Sequence, residues 1–202
     1  MKSDAVAALD SISATEAFDP LHVARYAELF TSATIEKLPQ TDREAMHLIL
    51  LLVRVSSVIS FDLEARAQRP SGFSSPGFYL SGILWLAGPL ESSRLAAIAG
   101  MSRAAVSALA KTLVKHGVLL RSPSPSDGRS VIYSLTPEGT RMIATAFGRV
   151  NARESEWASA LSRDEQADFV RLLEKVLRGS PAAGSTGDTG ALPDPSTASP
   201  EV

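Results

Sequence analysis

Residues 90–139 read LESSRLAAIAGMSRAAVSALAKTLVKHGVLLRSPSPSDGRSVIYSLTPEG, and the order of elements here decides the fold. Residues 91–99 have the pattern of a short helix, with Leu95, Ala96, Ile98 and Ala99 on one apolar side. Gly100 supplies the left-handed backbone that ends a helix. Ser102 is a natural N-cap, because its hydroxyl accepts a hydrogen bond from a free amide of the next helix. That helix is expected over residues 103–116, where Val106, Leu109, Ala110, Leu113 and Val114 recur at spacings of three and four and face a core. Arg103, Ala104, Ala105, Ser107, Ala108, Lys111 and Lys115 are left for the outer face, and Gly117 ends the helix. Residues 118–120 and 131–135 are apolar runs of strand length. Between them, Pro123 and Pro125 cannot donate ladder bonds and Asp127-Gly128 is a turn pair, which predicts a hairpin tip carrying Arg129. Thr136-Pro137-Glu138 opens another helix with a cap, a proline at the first position and an acid in the first turn.

From Arg94 to Arg129 six basic residues (Arg94, Arg103, Lys111, Lys115, Arg121, Arg129) face one acid, Asp127, a local balance of +5 in a chain whose formal total is −2. This asymmetry points to a polyanionic partner for this segment alone. A helix with Arg103, Ser107 and Lys111 outward, beside a hairpin with Arg129 at its tip, can engage a major groove and the neighbouring minor groove together. Arginine suits the narrow minor groove because negative potential concentrates there.

Leu95-Ala96, Met101-Ser102-Arg103, Leu113 to Gly117, Arg121, Asp127-Gly128-Arg129 and Leu135-Thr136-Pro137-Glu138-Gly139 resemble the MarR family of bacterial transcription regulators. The resemblance is tight over residues 75–148 and looser in the flanking helices. Its specific part is the D-x-R wing followed by L-T-P-E-G. It implies a mainly α fold with a small β-hairpin: a winged helix-turn-helix lobe plus N- and C-terminal helices that form a dimerisation region. It implies a sequence-specific DNA-binding regulator, a homodimeric repressor released from a pseudo-palindromic operator by a small aromatic or phenolic ligand. The alternative is a winged-helix protein-interaction module without specific DNA binding.

The same resemblance, taken with the geometry, assigns roles. Ser102, Arg103, Ala104, Ala105, Ser107 and Lys111 lie at or near base edges and phosphates. Lys115 and Arg121 contact phosphate, and Arg129 enters the minor groove with Asp127 orienting it through an ion pair. Family members often carry an arginine where this chain has Ala108, and bulkier polar groups where it has Ala104 and Ala105. Specificity is therefore expected to rest more on thymine methyls, on the wing and on DNA shape. Family effectors bind in a crevice between the dimerisation helices and the DNA-binding lobe. Phe61, Phe73, Phe78 and Tyr79 are the aromatic candidates for its walls, although an aromatic at helical spacing also serves as plain core.

The chain has 202 residues and is 45% hydrophobic, enough for one domain with a real core plus tails. It contains no cysteine, which excludes disulfides, thiolate metal sites and a cysteine redox sensor. His22, His47 and His116 share no metal-ligand spacing, no Gly-rich loop follows a strand, and no serine sits in a nucleophile elbow. No metal, no cofactor and no enzymatic activity are expected. The start lacks an apolar signal region, and no stretch of about 18 apolar residues is evident, so a soluble cytoplasmic protein without a membrane partner is expected.

The expected organisation is a flexible N-terminus (1–18), a MarR-like domain (19–178) and a disordered tail (179–202). Within the domain, residues 19–69 and 140–178 are dimerisation helices and 75–139 the winged lobe. Asp19-Pro20 caps a helix to about residue 38. It is an extra element relative to the family, either a cover for apolar surface or a helix closing over a ligand site. Thr41 to Glu44 reads as a capping box. The helix it opens, to about residue 68, is apolar nearly all round and must be surrounded, which a partner subunit would achieve. His47 reads as a core histidine, and Arg54 as half of an ion pair or as a contact to an anionic ligand. Ser162 to Glu165 is a second capping box. It opens a helix to Arg178 with Phe169, Val170, Leu172, Leu173, Val176 and Leu177 on one stripe for dimerisation.

Overall fold

The computed structural model describes residues 20–124 and 130–179, with side chains from Val23 onward. The expected flexible start, the hairpin tip with Asp127 and Arg129, and the tail beyond Gly179 lie outside the described residues. The chain divides into two compact units, residues 1–157 and 158–202.

The first unit contains helices α1 (Pro20–Lys37), α2 (Arg43–Leu63), α3 (Ser75–Ala87), α4 (Ser92–Ala99) and α5 (Arg103–Lys115), and nearly all of α6 (Pro137–Ala158). Its strands are β1 (Leu90–Glu91), β2 (Leu119–Pro123) and β3 (Val131–Leu135). The sheet is antiparallel in the order β1-β3-β2, with Leu90 opposite Tyr133 and Arg121 opposite Tyr133 on the other side. β1 departs from the sequence reading, which began a helix at Glu91. Two residues carry no alternation, and their strand character comes from pairing with β3. Pro123 also departs from it, being the last paired residue of β2, opposite Val131. β2 is an edge strand, where a missing N–H costs little.

The core gathers the periodic positions: Leu80, Leu84, Leu95, Val106, Ala110, Leu113, Val118, Leu119, Tyr133 and Ile143 are buried together. Each large side chain sealed this way contributes about 1.5–3 kcal/mol of apolar burial. α6 crosses this core through Ile143, Ala146 and Val150.

The start of α2 corrects the expected capping box. Asp42, not Thr41, is the N-cap: its carboxylate accepts from the Ala45 amide at 3.0 Å. That register leaves Glu44 one position short of the site from which it would reach back. The far end differs too. α2 passes into a π-helical turn (Glu64–Gln68) and a 3₁₀ turn (Arg69–Ser71), and stops at Gly72 with φ +87°. A side chain at Gly72 would press on the Met142 methyl at 3.0 Å. The stretch Arg43–Ser71 has a high average hydropathy (1.8 over its best 18 residues), long and apolar enough by composition alone to cross a membrane, although Arg54 and several serines keep it from being an unbroken apolar run.

α1 covers one side of α2. Val23, Ala27, Thr31 and Ala33 are buried, Glu28 pairs with Arg43, and the Arg54 guanidinium lies 4.6 Å from the centre of the Tyr26 ring. His47, half-buried, stands 3.6 Å from Glu28. On the other side Leu48, Ile49, Val53 and Val55 remain exposed.

In the second unit, Ser162 and Glu165 form the expected capping box at the start of α7 (Arg163–Arg178). The Glu165 carboxylate is held below its ordinary range by the hydrogen bonds from Ser162. Gln166 closes the preceding turn by donating to the carbonyls of Ala158 and Leu161. The stripe Phe169, Val170, Leu172, Val176 and Leu177 is exposed.

Asp62 ties α2 to α6. Its carboxylate accepts from Arg153 at 2.5 and 3.0 Å and from the Trp157 indole at 2.9 Å, and it pairs with Arg66 at 3.0 Å. The hydrogen bond from Arg153 is the leading cause that holds its pKa below the ordinary 3.8, outweighing burial. A depressed folded-state pKa gives stability that is present above the ordinary value and lost as pH falls through the folded one. The unfolding free energy of the wild type should therefore exceed that of Asp62→Asn by a constant margin above about pH 5. The margin should shrink as the pH drops below 3.8. Urea unfolding across pH 2.5–7 measures it (roughly the carboxylate titration range); a margin independent of pH would contradict the assignment.

Candidate nucleic-acid interface

α4 and α5 are bent by 107° at a short turn. Gly100 ends α4 in the left-handed conformation (φ +62°), and the Met101 amide returns to the Ala96 carbonyl at 3.1 Å. Ser102 then caps α5 by accepting from the Ala105 amide at 3.1 Å. Val106, Ala110 and Leu113 anchor the inner face of α5 in the core. The outer face follows from that anchoring. Ser102, Arg103, Ala104, Ser107, Ala108, Lys111 and Lys115 are exposed, and Ala105 is half-buried at the edge. Thr112 is also exposed on this face and was missed by the sequence reading, which sorted residues by apolar spacing. Its hydroxyl donates to the Ala108 carbonyl.

Arg121 is exposed on β2, opposite the buried Tyr133 of β3. At the base of the hairpin the Ser124 amide donates to the Ser130 carbonyl at 2.9 Å, and the buried Ser124 hydroxyl donates to Glu91 at 2.8 Å. The hairpin is thereby stapled to β1, a contact 33 residues apart in the chain. Arg94, Arg103, Lys111, Lys115 and Arg121 form no ion pair among the described residues, so their charges face solvent uncompensated.

The Leu-Thr-Pro-Glu-Gly stretch fixes α5 relative to α6. The Thr136 hydroxyl donates to the Gly117 carbonyl at 2.7 Å and accepts from the Gly139 amide at 2.8 Å, while the Thr136 amide donates to the Val118 carbonyl at 3.0 Å. One threonine thus caps α6 and holds the turn that follows α5. The two backbones lie so close that a Cβ on Gly139 would stand 2.1 Å from the Val118 carbonyl oxygen.

The five ligand candidates do not converge. Phe73 is buried in the core, edge-on to Phe78, whose ring lies 4.7 Å from that of Phe147. Tyr79 is exposed on α3, and Arg54 is engaged with Tyr26. Phe61 lines a cavity of about 580 Å³ with Val58, Asp62, Ala65, Arg66, Arg153 and Trp157. Asp62, Arg153 and Trp157 were not singled out by the sequence reading, because Asp62 lies more than 90 residues from the other two along the chain. Among the described residues no group of three His, Asp or Glu side chains is placed to hold a metal ion.

The MarR family model matches residues 82–131, which run from α3 to the start of β3. An HTH-type transcriptional repressor of Mycobacterium bovis is 31% identical over 126 residues, covering 62% of this chain and 90% of the relative. An HTH-type transcriptional regulator of Bacillus subtilis is 28% identical over 148 residues, 71% of this chain and 86% of the relative. Among solved structures, a MarR variant from E. coli complexed with operator DNA aligns with a TM-score of 0.60 at 24% identity, over 66% of this chain and 96% of that one. The PcaV regulator from Streptomyces coelicolor, in complex with its natural ligand, aligns at 0.53 with 23% identity, over 65% and 90%.

The contact at Gly139 is testable by substitution. Gly139→Ala should lower the unfolding free energy by about 3 kcal/mol or more, the upper range for forcing an atom into packed structure. Thermal and urea unfolding read this; a loss under about 1 kcal/mol, or the gain of about 1 kcal/mol that alanine ordinarily brings in place of a helical glycine, would show that the two backbones separate freely.

Proposed function

The chain belongs to the MarR family of winged helix-turn-helix transcription regulators, and from that premise we propose that it is a homodimeric repressor of a pseudo-palindromic operator. The observation that carries the reading is α5. It is capped at Ser102 and anchored by Val106, Ala110 and Leu113, and it turns Arg103, Ser107 and Lys111 outward. Ser102, Arg103, Ala104, Ala105, Ser107 and Lys111 meet base edges and phosphates in the major groove, and Lys115 and Arg121 bind phosphate. Arg129, oriented by Asp127, reaches the minor groove. Phosphate contacts set the register, and base contacts specify. Ala104 and Ala108 offer methyl groups suited to thymine methyls, so part of the specificity lies in A·T steps and in shape.

Two subunits related by a dyad set their α5 helices into successive major grooves about 34 Å apart. The exposed apolar side of α2 and, in the other unit, the exposed stripe of α7 each support the dimer: a monomer seldom leaves a large apolar face in water. Residues 19–69 and 140–178 supply that interface, and the winged lobe is residues 75–139. A small aromatic or phenolic ligand favours a spacing of the lobes that does not match the operator, a coupling of about 1–3 kcal/mol. The solved relative from S. coelicolor with its natural ligand supports a ligand-responsive member. The work is done in the cytoplasm, where the DNA is.

Selection from a random duplex pool, followed by a salt series on the winner, tests this. Enrichment of a two-fold symmetric site with steep salt dependence is expected. Lys115→Ala should weaken binding about equally across sequences and lower the salt slope by about 1. No enriched site would overturn the reading and direct attention to an acidic protein partner instead.

A further inference from the structure

Ser124 is unusual for a hairpin residue. Leu120, Arg121, Ser122 and Pro123 are exposed, and Ser124, next along the chain, is buried again. A hydroxyl taken out of water costs free energy unless it is hydrogen-bonded. The Ser124 hydroxyl donates to the Glu91 carboxylate at 2.8 Å, a charged acceptor and so one of the stronger partners a hydroxyl can have. This bond crosses the sheet: Ser124 follows β2 and Glu91 ends β1, the two edge strands, with β3 between them. Glu91 also stands at the N-cap position of α4 and makes no side-chain capping bond there. The N-cap is where a side-chain oxygen ordinarily accepts from a free amide of the first turn. Here the carboxylate reaches to the hairpin.

The place of the bond gives it leverage. The inner end of the hairpin is rooted in the core by Leu119, and the Thr136 amide ties it to the Val118 carbonyl. At about 3.3 Å per residue of strand, Ser124 lies roughly 17 Å farther out than Leu119. β1, the strand that ties the hairpin to the front of α4, pairs with β3 over two residues, Leu90 and Glu91. So short a ladder fixes an angle weakly, and the side-chain bond adds a second hold at the outer end. We propose that Glu91 and Ser124 are positioning residues for DNA recognition: their hydrogen bond sets the angle between the hairpin and α4, so that the hairpin meets its groove when α5 is seated in the next one. α4 and α5 are joined by the tight turn at Gly100, so an angle fixed to one is fixed to the other. The inference rests on the DNA-binding reading above. It gives a carboxylate a role in a lobe whose other charges are mostly basic, where by charge alone it repels a phosphate backbone.

The test is a double-mutant cycle on the full chain, read as affinity for the selected operator. Ser124→Ala should weaken binding about tenfold where Arg129 is present, a difference of about 1.4 kcal/mol. Combined with Arg129→Ala it should add less than about twofold, because a hairpin without its reading side chain has nothing left to aim. Glu91→Ala gives a second reading with opposite signs. It takes no side-chain cap from α4, and it removes a negative charge, so a mixed-sequence duplex should bind as tightly or more tightly while the operator binds more weakly. Glu91→Gln keeps an acceptor oxygen and should recover most of the operator affinity. Urea unfolding checks that each variant folds, and if Ser124→Ala does not, Glu91→Ala takes its place in the cycle. The same loss from Ser124→Ala with and without Arg129, no loss at all, or tighter operator binding by Glu91→Ala would each overturn the proposal. Arg129→Ala alone separates the two readings. If it costs no affinity, the minor-groove role of the wing fails and the proposal falls with it; if it costs affinity while the Ser124→Ala loss is the same in both backgrounds, the positioning role alone fails.

Discussion

The structure depends on the place where two backbones touch. Gly139, in the first turn of α6, lies against the Val118 carbonyl with no room for a side chain. Thr136 spans the same junction with its hydroxyl and its amide. This junction locks the end of α5 to the helix that crosses the core at Ile143, Ala146 and Val150 and continues to the Asp62 cluster. Whatever shifts α6 therefore shifts the exposed face of α5 with it. A regulator whose reading helix must move as a rigid part needs such a joint, because packed interfaces switch between discrete arrangements rather than deforming smoothly.

Charge is arranged on the same logic. The chain is slightly acidic overall, yet the described cations of α4, α5 and β2 carry no ion pairs, whereas Arg43 of α2 and Arg141 and Arg153 of α6 are matched by carboxylates. The uncompensated set is left to an anionic partner, whereas the pairs Glu28–Arg43 and Asp62–Arg153 sit where helices meet. The contrast is more informative than the net charge, since surface ion pairs contribute little to stability while unpaired bases on one face set an attractive field.

Local rules made much of this legible. The spacing of Val106, Ala110 and Leu113 gave the inner face of α5, Gly100 and Ser102 gave the turn, and residues 131–135 gave β3 without error. What failed depended on distant partners. β1 is two residues made into a strand by β3, and Pro123 is tolerated in β2 because that strand is at the edge. The N-cap of α2 shifted from Thr41 to Asp42, a choice between adjacent acceptors that sequence alone leaves nearly even. At the ligand candidates, Phe73 and Phe78 are aromatic for the core rather than for a crevice. The cluster around Asp62 joins residues whose separation along the chain hides them from any motif.

The central claim is that two copies of α5, related by a dyad, read one face of a duplex. Hydroxyl-radical footprinting of the selected site measures this most directly. The account predicts two protected segments centred one helical turn apart, about 34 Å, on the same face of the DNA, with added protection in the flanking minor grooves. A single protected segment of half that extent, or protection spread evenly along the duplex, would contradict it.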